Sequence, residues 1–237
     1  MTSPVPLPGA PARAPAVRAM FDRIAPTYDL LNRLLAFRTD VRWRRRLVAA
    51  LALAPGERLL DLCAGTMDVA AAARQAQPAA RIVGADFARG MLARGHEKTR
   101  IPATQADAAA LPFQPASFDA CSVAFGVRNL ESLDGGLAEI ARVLRPGGRL
   151  AVLELFRPAT WFGRALHAAY SRVALPLVGR AVSGDAGAYR YLVRSIDAFG
   201  TREAFMRAVR EAGFDEVRGV TLAPGLCGLV SARRARS

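Results

Sequence analysis

Along residues 57–155, short apolar runs alternate with stretches whose apolar positions recur every three or four residues. ERLLDLCAG (57–65), ARIVGADF (80–87), FDACSVAFGV (118–127) and GRLAVLEL (148–155) are too apolar for half-exposed strands, so they predict strands buried on both faces. ATQAD (103–107) adds a short strand between the second and third of these. MDVAAAARQAQ (67–77), ARGMLARGHEK (88–98) and LDGGLAEIARVL (133–144) predict helices, the last stopped by the Pro-Gly break RPGG. This β-α-β-α order predicts a parallel sheet with helices on both faces and right-handed crossovers. Beyond residue 155 the pattern changes. TWFGRALHAAYSRVALPLVGRAV (160–182) is apolar and helix-rich but broken by Arg164, His167, Arg172 and Pro176. GAYRYLVRSI (187–196) follows, then a helix over TREAFMRAVREAGF (201–214) with Thr201 as its cap and Gly213 as its stop. The last strands, DEVRGVTLA (215–223) and GLCGLVSARR (225–234), are joined too tightly for a crossover and predict an antiparallel hairpin.

The expected fold is therefore α/β: a mostly parallel seven-stranded sheet, helices on both faces and a C-terminal antiparallel hairpin. An all-parallel dinucleotide fold would not end this way, whereas a Rossmann-like class I methyltransferase does. In a doubly wound sheet the ligand lies beyond the C-terminal strand ends, where the strand order reverses. That places Gly65, Thr66, Asp86 and Asp107 around one crevice. Asp86 ends the second strand 21 residues after Gly65, the spacing of an acid that accepts hydrogen bonds from ribose hydroxyls. A surface aspartate at a strand end is the plain alternative. LLDLCAGTMDVA (59–70) has one glycine where a pyrophosphate cradle needs several. S-adenosylmethionine (SAM) has ribose and adenine but no phosphate, and its cationic tail suits acids such as Asp61. Met67 either takes a positive φ, with backbone strain, or opens the helix and shapes the cofactor pocket.

Composition bounds the setting. The chain has 237 residues, 52% of them hydrophobic, enough for a large core. No run approaches the length of a membrane span, and the start lacks the apolar core of a signal peptide. A cytoplasmic protein is expected, with residues 1–16 as a flexible Pro-rich arm and 17–237 as one domain. Within it, 17–55 form a helical cap and 159–198 a helical substrate lid. Cys63, Cys121 and Cys227 have no metal spacing, and no metal site is expected. The net charge is +13, carried by 32 arginines and Lys98. Arg38, Arg42, Arg44, Arg45 and Arg46 cluster around Trp43. The cluster is either a solvated helix face, a seat on anionic lipid headgroups or an aromatic-interleaved RNA surface. No RNA-binding module accompanies it, so no nucleic-acid partner is expected; a homo-oligomer is left open.

FDRIAPTYDLLNRLLAFRTDVRWRR, LLDLCAGTMDVA, DAAALPFQPASFDACSVAFGVRNL, RVLRPGGRLAVLEL and AYRYLVRSIDAFGTREAFMRAVREAGF together resemble the ubiquinone/menaquinone biosynthesis C-methyltransferase family (UbiE/MenG type), from about residue 17 to the end. The resemblance implies SAM-dependent methylation of a ring carbon of a prenylated quinol, demethylmenaquinol before a benzoquinol. It puts SAM contacts at Thr66, Asp86, Asp107, Ala108 and Ala124, the last replacing a family serine. Met67 and Ala64 replace family glycines, Asp40 a histidine and Phe156 a frequent serine. Methyl transfer needs alignment, exclusion of water and a group that raises electron density on the ring. Just beyond the fourth strand, Arg128 is expected to clamp the quinolate oxygen and Asn129 to orient the quinol or a water; capping of the next helix is the alternative for this pair. Tyr28, Asp29, Tyr189 and His167 are the candidate bases, Tyr28 foremost. Transfer to a phospholipid amine, or binding without turnover, are the competing functions.

Overall fold

The computed structural model describes residues 13–25, 39–158, 161, 186–223, 225 and 227–236. In chain order the elements are α1 (Arg13–Ile24), α2 (Thr39–Leu51), β1 (Arg58–Leu62), α3 (Asp68–Ala76), β2 (Arg81–Asp86), α4 (Arg89–Thr99), β3 (Ala103–Gln105), β4 (Phe118–Ala124), α5 (Leu133–Val143), β5 (Leu144–Leu155), α6 (Ala186–Phe199), α7 (Arg202–Glu211), β6 (Phe214–Leu222) and β7 (Cys227–Arg234). A 3-10 turn, Val127–Asn129, follows β4.

The seven strands form one sheet in the order β3-β2-β1-β4-β5-β7-β6. β1 pairs in parallel with β2 and β4, and β4 with β5, while β7 runs antiparallel to β5 and β6. The expected architecture is thus present. Alternate residues of the central strands serve opposite faces, as the pleat requires. Leu60, Leu62, Cys121, Val123, Leu150 and Val152 pack under α5 and α7. Leu59, Ile82, Ala120, Ala151 and Leu153 pack under α2 and α3. Leu59, Leu60 and Leu62 are essentially fully buried, each such side chain contributing about 2 kcal/mol.

Local signals account for most boundaries. Thr201 accepts from the Ala204 amide and caps α7, and Gly213, at φ 87°, follows the end of that helix. Ser132 caps α5 by accepting from Gly135 N, so Arg128 and Asn129 are not that helix's caps. Two boundaries differ from expectation. β5 starts at Leu144, the last residue of the predicted helix, and runs through the predicted Pro-Gly break, because Phe118 pairs with Leu144 before the register shifts at Ala120. α1 starts at Arg13, inside the predicted arm. Pro15 falls in its first turn, where an amide hydrogen would have no helical partner anyway.

Candidate active site

The strand order reverses between β1 and β4, and a crevice opens beyond their C-terminal ends. Its floor is the β1–α3 turn, with Leu62, Cys63 and Gly65; its sides are Asp86, Phe87, Asp107 and Ala108 on one hand and Ala124, Phe125, Gly126 and Asn129 on the other. α1 closes it with Arg18 and Phe21, the Arg18 guanidinium lying 5.7 Å from the centre of the Phe87 ring. Asp22 accepts from the Gly90 amide at 3.0 Å and fixes α1 to the start of α4. The two walls meet at Gly126, where a β-carbon would stand 2.3 Å from Cys63 Cβ, so only glycine fits.

The 21-residue spacing has a direct geometric meaning. Gly65 N donates to Asp86 Oδ2 at 2.8 Å and Ala88 N to Asp86 Oδ1 at 2.8 Å. The acid is thereby aimed beside the turn, each oxygen keeping a lone pair for a ligand. Burial pushes its carboxyl up to about 6, against the opposing pull of the Ala88, Gly65 and Phe87 amides. Asp107 accepts from Ala109 N at 2.9 Å and stays exposed at the rim, with Ala108 buried beside it.

The turn itself is not a phosphate cradle. Ala64 N donates to Ala85 O (3.0 Å), Gly65 N to Asp86, and Met67 N to Ala64 O (2.7 Å). Ala70 N, in the first turn of α3, donates to Asp61 Oδ2 at 3.0 Å. With the Ala64, Gly65, Met67 and Ala70 amides paired and a single glycine in the turn, the multi-glycine cradle of a pyrophosphate is not formed. Asp86 beside them suits a ligand with hydroxyls.

A family model described as the ubiE/COQ5 methyltransferase family matches residues 11–233. The chain belongs to that family. Among curated relatives, the demethylmenaquinone methyltransferase of Thermus thermophilus is 47% identical over 82% of this chain and 91% of its own length. The ubiquinone/menaquinone biosynthesis C-methyltransferase UbiE of Syntrophotalea carbinolica is 44% identical over 92% and 94%. Among solved structures, a SAM-dependent methyltransferase of Thermotoga maritima superposes with a TM-score of 0.68 at 18% identity, over 91% of this chain and 99% of its own. The [4+2]-cyclase SpnF does so at 0.65 and 19%, over the full length of both. At such identities these two likenesses speak for the fold alone.

Of the site residues expected from sequence, Gly65, Asp86, Asp107, Ala108, Ala124 and Asn129 line the crevice. Three others, Asp61, Thr66 and Arg128, do not. Asp61 is 1% exposed and committed inward: Ser122 Oγ donates to its Oδ1 at 2.7 Å and Ala70 N to its Oδ2. Burial pushes its carboxyl up to about 7, offset by those two bonds. It locks β1 to β4 and to the start of α3. Thr66 is buried and not part of the lining. Arg128 is 7% exposed, with Nη1 donating to Glu154 Oε1 (2.6 Å) and Phe125 O (2.7 Å), and Nε to Ser195 Oγ (3.3 Å). Its charge is spent on Glu154, which burial pushes above the usual carboxylate range even with the guanidinium opposing. It ties the 3-10 turn to β5 and α6, in place of the expected exposed clamp on the substrate. Tyr28, Asp29, His167 and most of the 159–198 segment lie outside the described residues; of that segment, Trp161 and residues 186–198 of α6 are described, Tyr189 by its backbone alone.

The two readings of Met67 are also resolved. It takes a left-handed conformation, φ 63° and ψ 31°, at the cap position of α3. Its side chain is fully buried among the α2–α3 core residues and points away from the crevice. Gly84 and Gly95 leave the room, since a β-carbon on either would stand within 2.6 Å of the methionine side chain. Asp40, in place of a histidine, is buried and pairs with Arg44, which also reaches Asp68 at 3.3 Å. Trp43 is buried too, its indole N–H donating to Ala223 O at 2.9 Å. Of the described arginines of the cluster, Arg42, Arg45 and Arg46 are exposed and Arg44 is buried, so Trp43 is not interleaved among the exposed ones.

Nothing in the sequence pattern pointed to the crevice positions of Arg18, Phe21, Phe87 and Phe125. Phe87 follows Asp86 directly, which is the one local clue. Arg18 precedes the family-like segments and Phe21 opens FDRIAPTYD, which says nothing of its direction; only the docking of α1 brings both in.

Proposed function

We propose that the crevice binds SAM and that the protein methylates a ring carbon of a prenylated quinol, demethylmenaquinol, on the way to menaquinone. The observation that supports the cofactor is the β1–α3 turn, whose paired amides form no multi-glycine cradle while Asp86 lines the crevice beside them with a lone pair left on each oxygen. The substrate rests on family membership and on relatives named for demethylmenaquinone. When bound, SAM supplies a methyl group made electrophilic by its sulfonium. Everything else falls to the chain. Asp86 holds the ribose hydroxyls, Phe87 and Ala108 pack on the adenine, and Asp107 takes a polar edge of the nucleoside. Leu62, Cys63, Ala124 and Phe125 give the methionine end an apolar wall that excludes water. Asn129 orients the quinol hydroxyl at the far wall, with Arg128 holding its turn in place through Glu154. Tyr28 stays the proposed base. The exposed Arg42, Arg45 and Arg46 touch anionic lipid where the prenylated substrate resides; among the described residues no helix is long and apolar enough to cross a membrane. Titration calorimetry tests the cofactor: SAM binds at micromolar level and NAD shows no heat. Equal binding of the two would overturn the reading of the turn.

A further inference from the structure

We propose that Tyr191 is a positioning residue for the reaction: its hydroxyl fixes which way the Asn129 amide faces in the crevice. The proposal rests on the reading of Asn129 as the group that orients the quinol.

Asn129 ends the 3-10 turn and lines the crevice. Its Oδ1 accepts from Tyr191 Oη at 2.9 Å, and its Nδ2 donates to Phe125 O at 3.3 Å. That second bond is long and weak. An amide nitrogen has two hydrogens. With one turned to Phe125 O, the other is available to the crevice, and the amide presents a donor there. Without the tyrosine hydroxyl, Oδ1 loses this partner inside a half-buried turn. Only the long bond to Phe125 O then holds the amide, which is free to turn its oxygen toward the crevice for part of the time and replace the donor by an acceptor. A donor suits a developing quinolate oxygen, and an acceptor repels it.

Tyr191 is well placed to impose this choice. It is 5% exposed on α6, packed on Val17 and Met20 of α1 and against Phe21 and Phe87 of the crevice wall. The ring is thus held by elements that border the nucleoside side of the crevice, while the hydroxyl reaches the opposite wall. One helical turn further on, Ser195 accepts from Arg128 Nε. α6 therefore grips both consecutive side chains, Arg128 and Asn129, from positions four residues apart on one face. The Arg128–Glu154 pair fixes the backbone of the turn, and Tyr191 fixes the amide on its end.

Tyr191→Phe keeps the ring and removes only the hydroxyl, so packing and catalysis separate. The purified protein, Tyr191→Phe, Asn129→Ala and the double variant are compared for kcat, KM for the quinol, SAM affinity and melting temperature. Expected for Tyr191→Phe is a kcat loss of about tenfold or more, with SAM affinity within about twofold and Tm within about 4 °C. In the Asn129→Ala background, the same change should cost nothing further. Wild-type kcat in Tyr191→Phe while Asn129→Ala is impaired would overturn the proposal alone, as would full additivity in the double variant. A wild-type rate in Asn129→Ala would remove the reading of Asn129, and the proposal with it.

Discussion

Asp86 holds two amides and a half-closed crevice together with one carboxylate, and that sets a pH dependence. The ordinary value for Asp61 and Asp86 is 3.8, and burial raises them to about 7 and about 6. Between about pH 4 and 7 the folded chain thus binds more protons than the unfolded one. Their contribution to stability is fully present below the unfolded value and is lost as pH rises through the folded values. SAM binding runs the other way, because Asp86 must be ionised to accept from both ribose hydroxyls. Affinity measured by calorimetry should fall several-fold from pH 7.5 to pH 5.5, while the contribution of these two acids to the unliganded melt favours the lower pH. Affinity that holds constant over that range would contradict the ribose role of Asp86. This acid was legible in the chain because its partner lies at a fixed spacing within one β-α-β unit. Arg128 was not: its partners Glu154 and Ser195 lie 26 and 67 residues away, and no local pattern reports that a charge is already neutralised.

At the level of elements, the β1–α3 turn shows why a residue that breaks a glycine pattern still fits. The left-handed φ of Met67 costs roughly 1–2 kcal/mol. Its buried side chain, seated between β2 and α4 over Gly84 and Gly95, offsets that cost. Met67→Gly should therefore relieve the backbone yet lose about 2–5 kcal/mol of core packing, for a net destabilisation of about 1–3 kcal/mol. SAM affinity should change less than threefold, since the side chain does not line the crevice. Denaturant unfolding and calorimetry read the two effects apart; a more stable variant that binds SAM tighter would mean the methionine is a strained defect. The strands, the helices after them and the final hairpin were legible because their periods differ and because the hairpin link is too short for a crossover. The side-chain direction of Met67 was not, since periodicity fixes faces within an element and says nothing of a turn residue's φ. β5 likewise begins four residues earlier than the Pro-Gly signal suggests, because pairing with Phe118 outweighs local turn preference.

Besides the crevice, the molecule carries a helix, α2, with a basic outer face. α2 turns Trp43, Arg44 and Leu47 inward and Arg42, Arg45 and Arg46 outward, so three of the four described arginines of the cluster are exposed. With about 1 kcal/mol per basic residue near an anionic surface, changing all three to alanine should weaken vesicle binding by about 10²-fold. Flotation with anionic and zwitterionic vesicles checks this; equal binding of the wild type to both would remove lipid charge from the account. The family, the fold and the cofactor class were readable from sequence because they rest on long motifs spread over most of the chain. The closing of the crevice by α1, and the hold of α6 on its far wall, depend on docking between distant segments and appear only in three dimensions.

The central claim is that this crevice transfers a methyl group from SAM to a quinol ring carbon. The most direct test is incubation of the full chain with methyl-labelled SAM and chemically reduced demethylmenaquinol, followed by mass analysis of the extracted quinone. The account predicts label in menaquinone, carried on a ring carbon, and a loss of about 10²-fold in rate for Asn129→Ala with SAM still bound. Recovery of unlabelled demethylmenaquinone from a protein that binds SAM would contradict it.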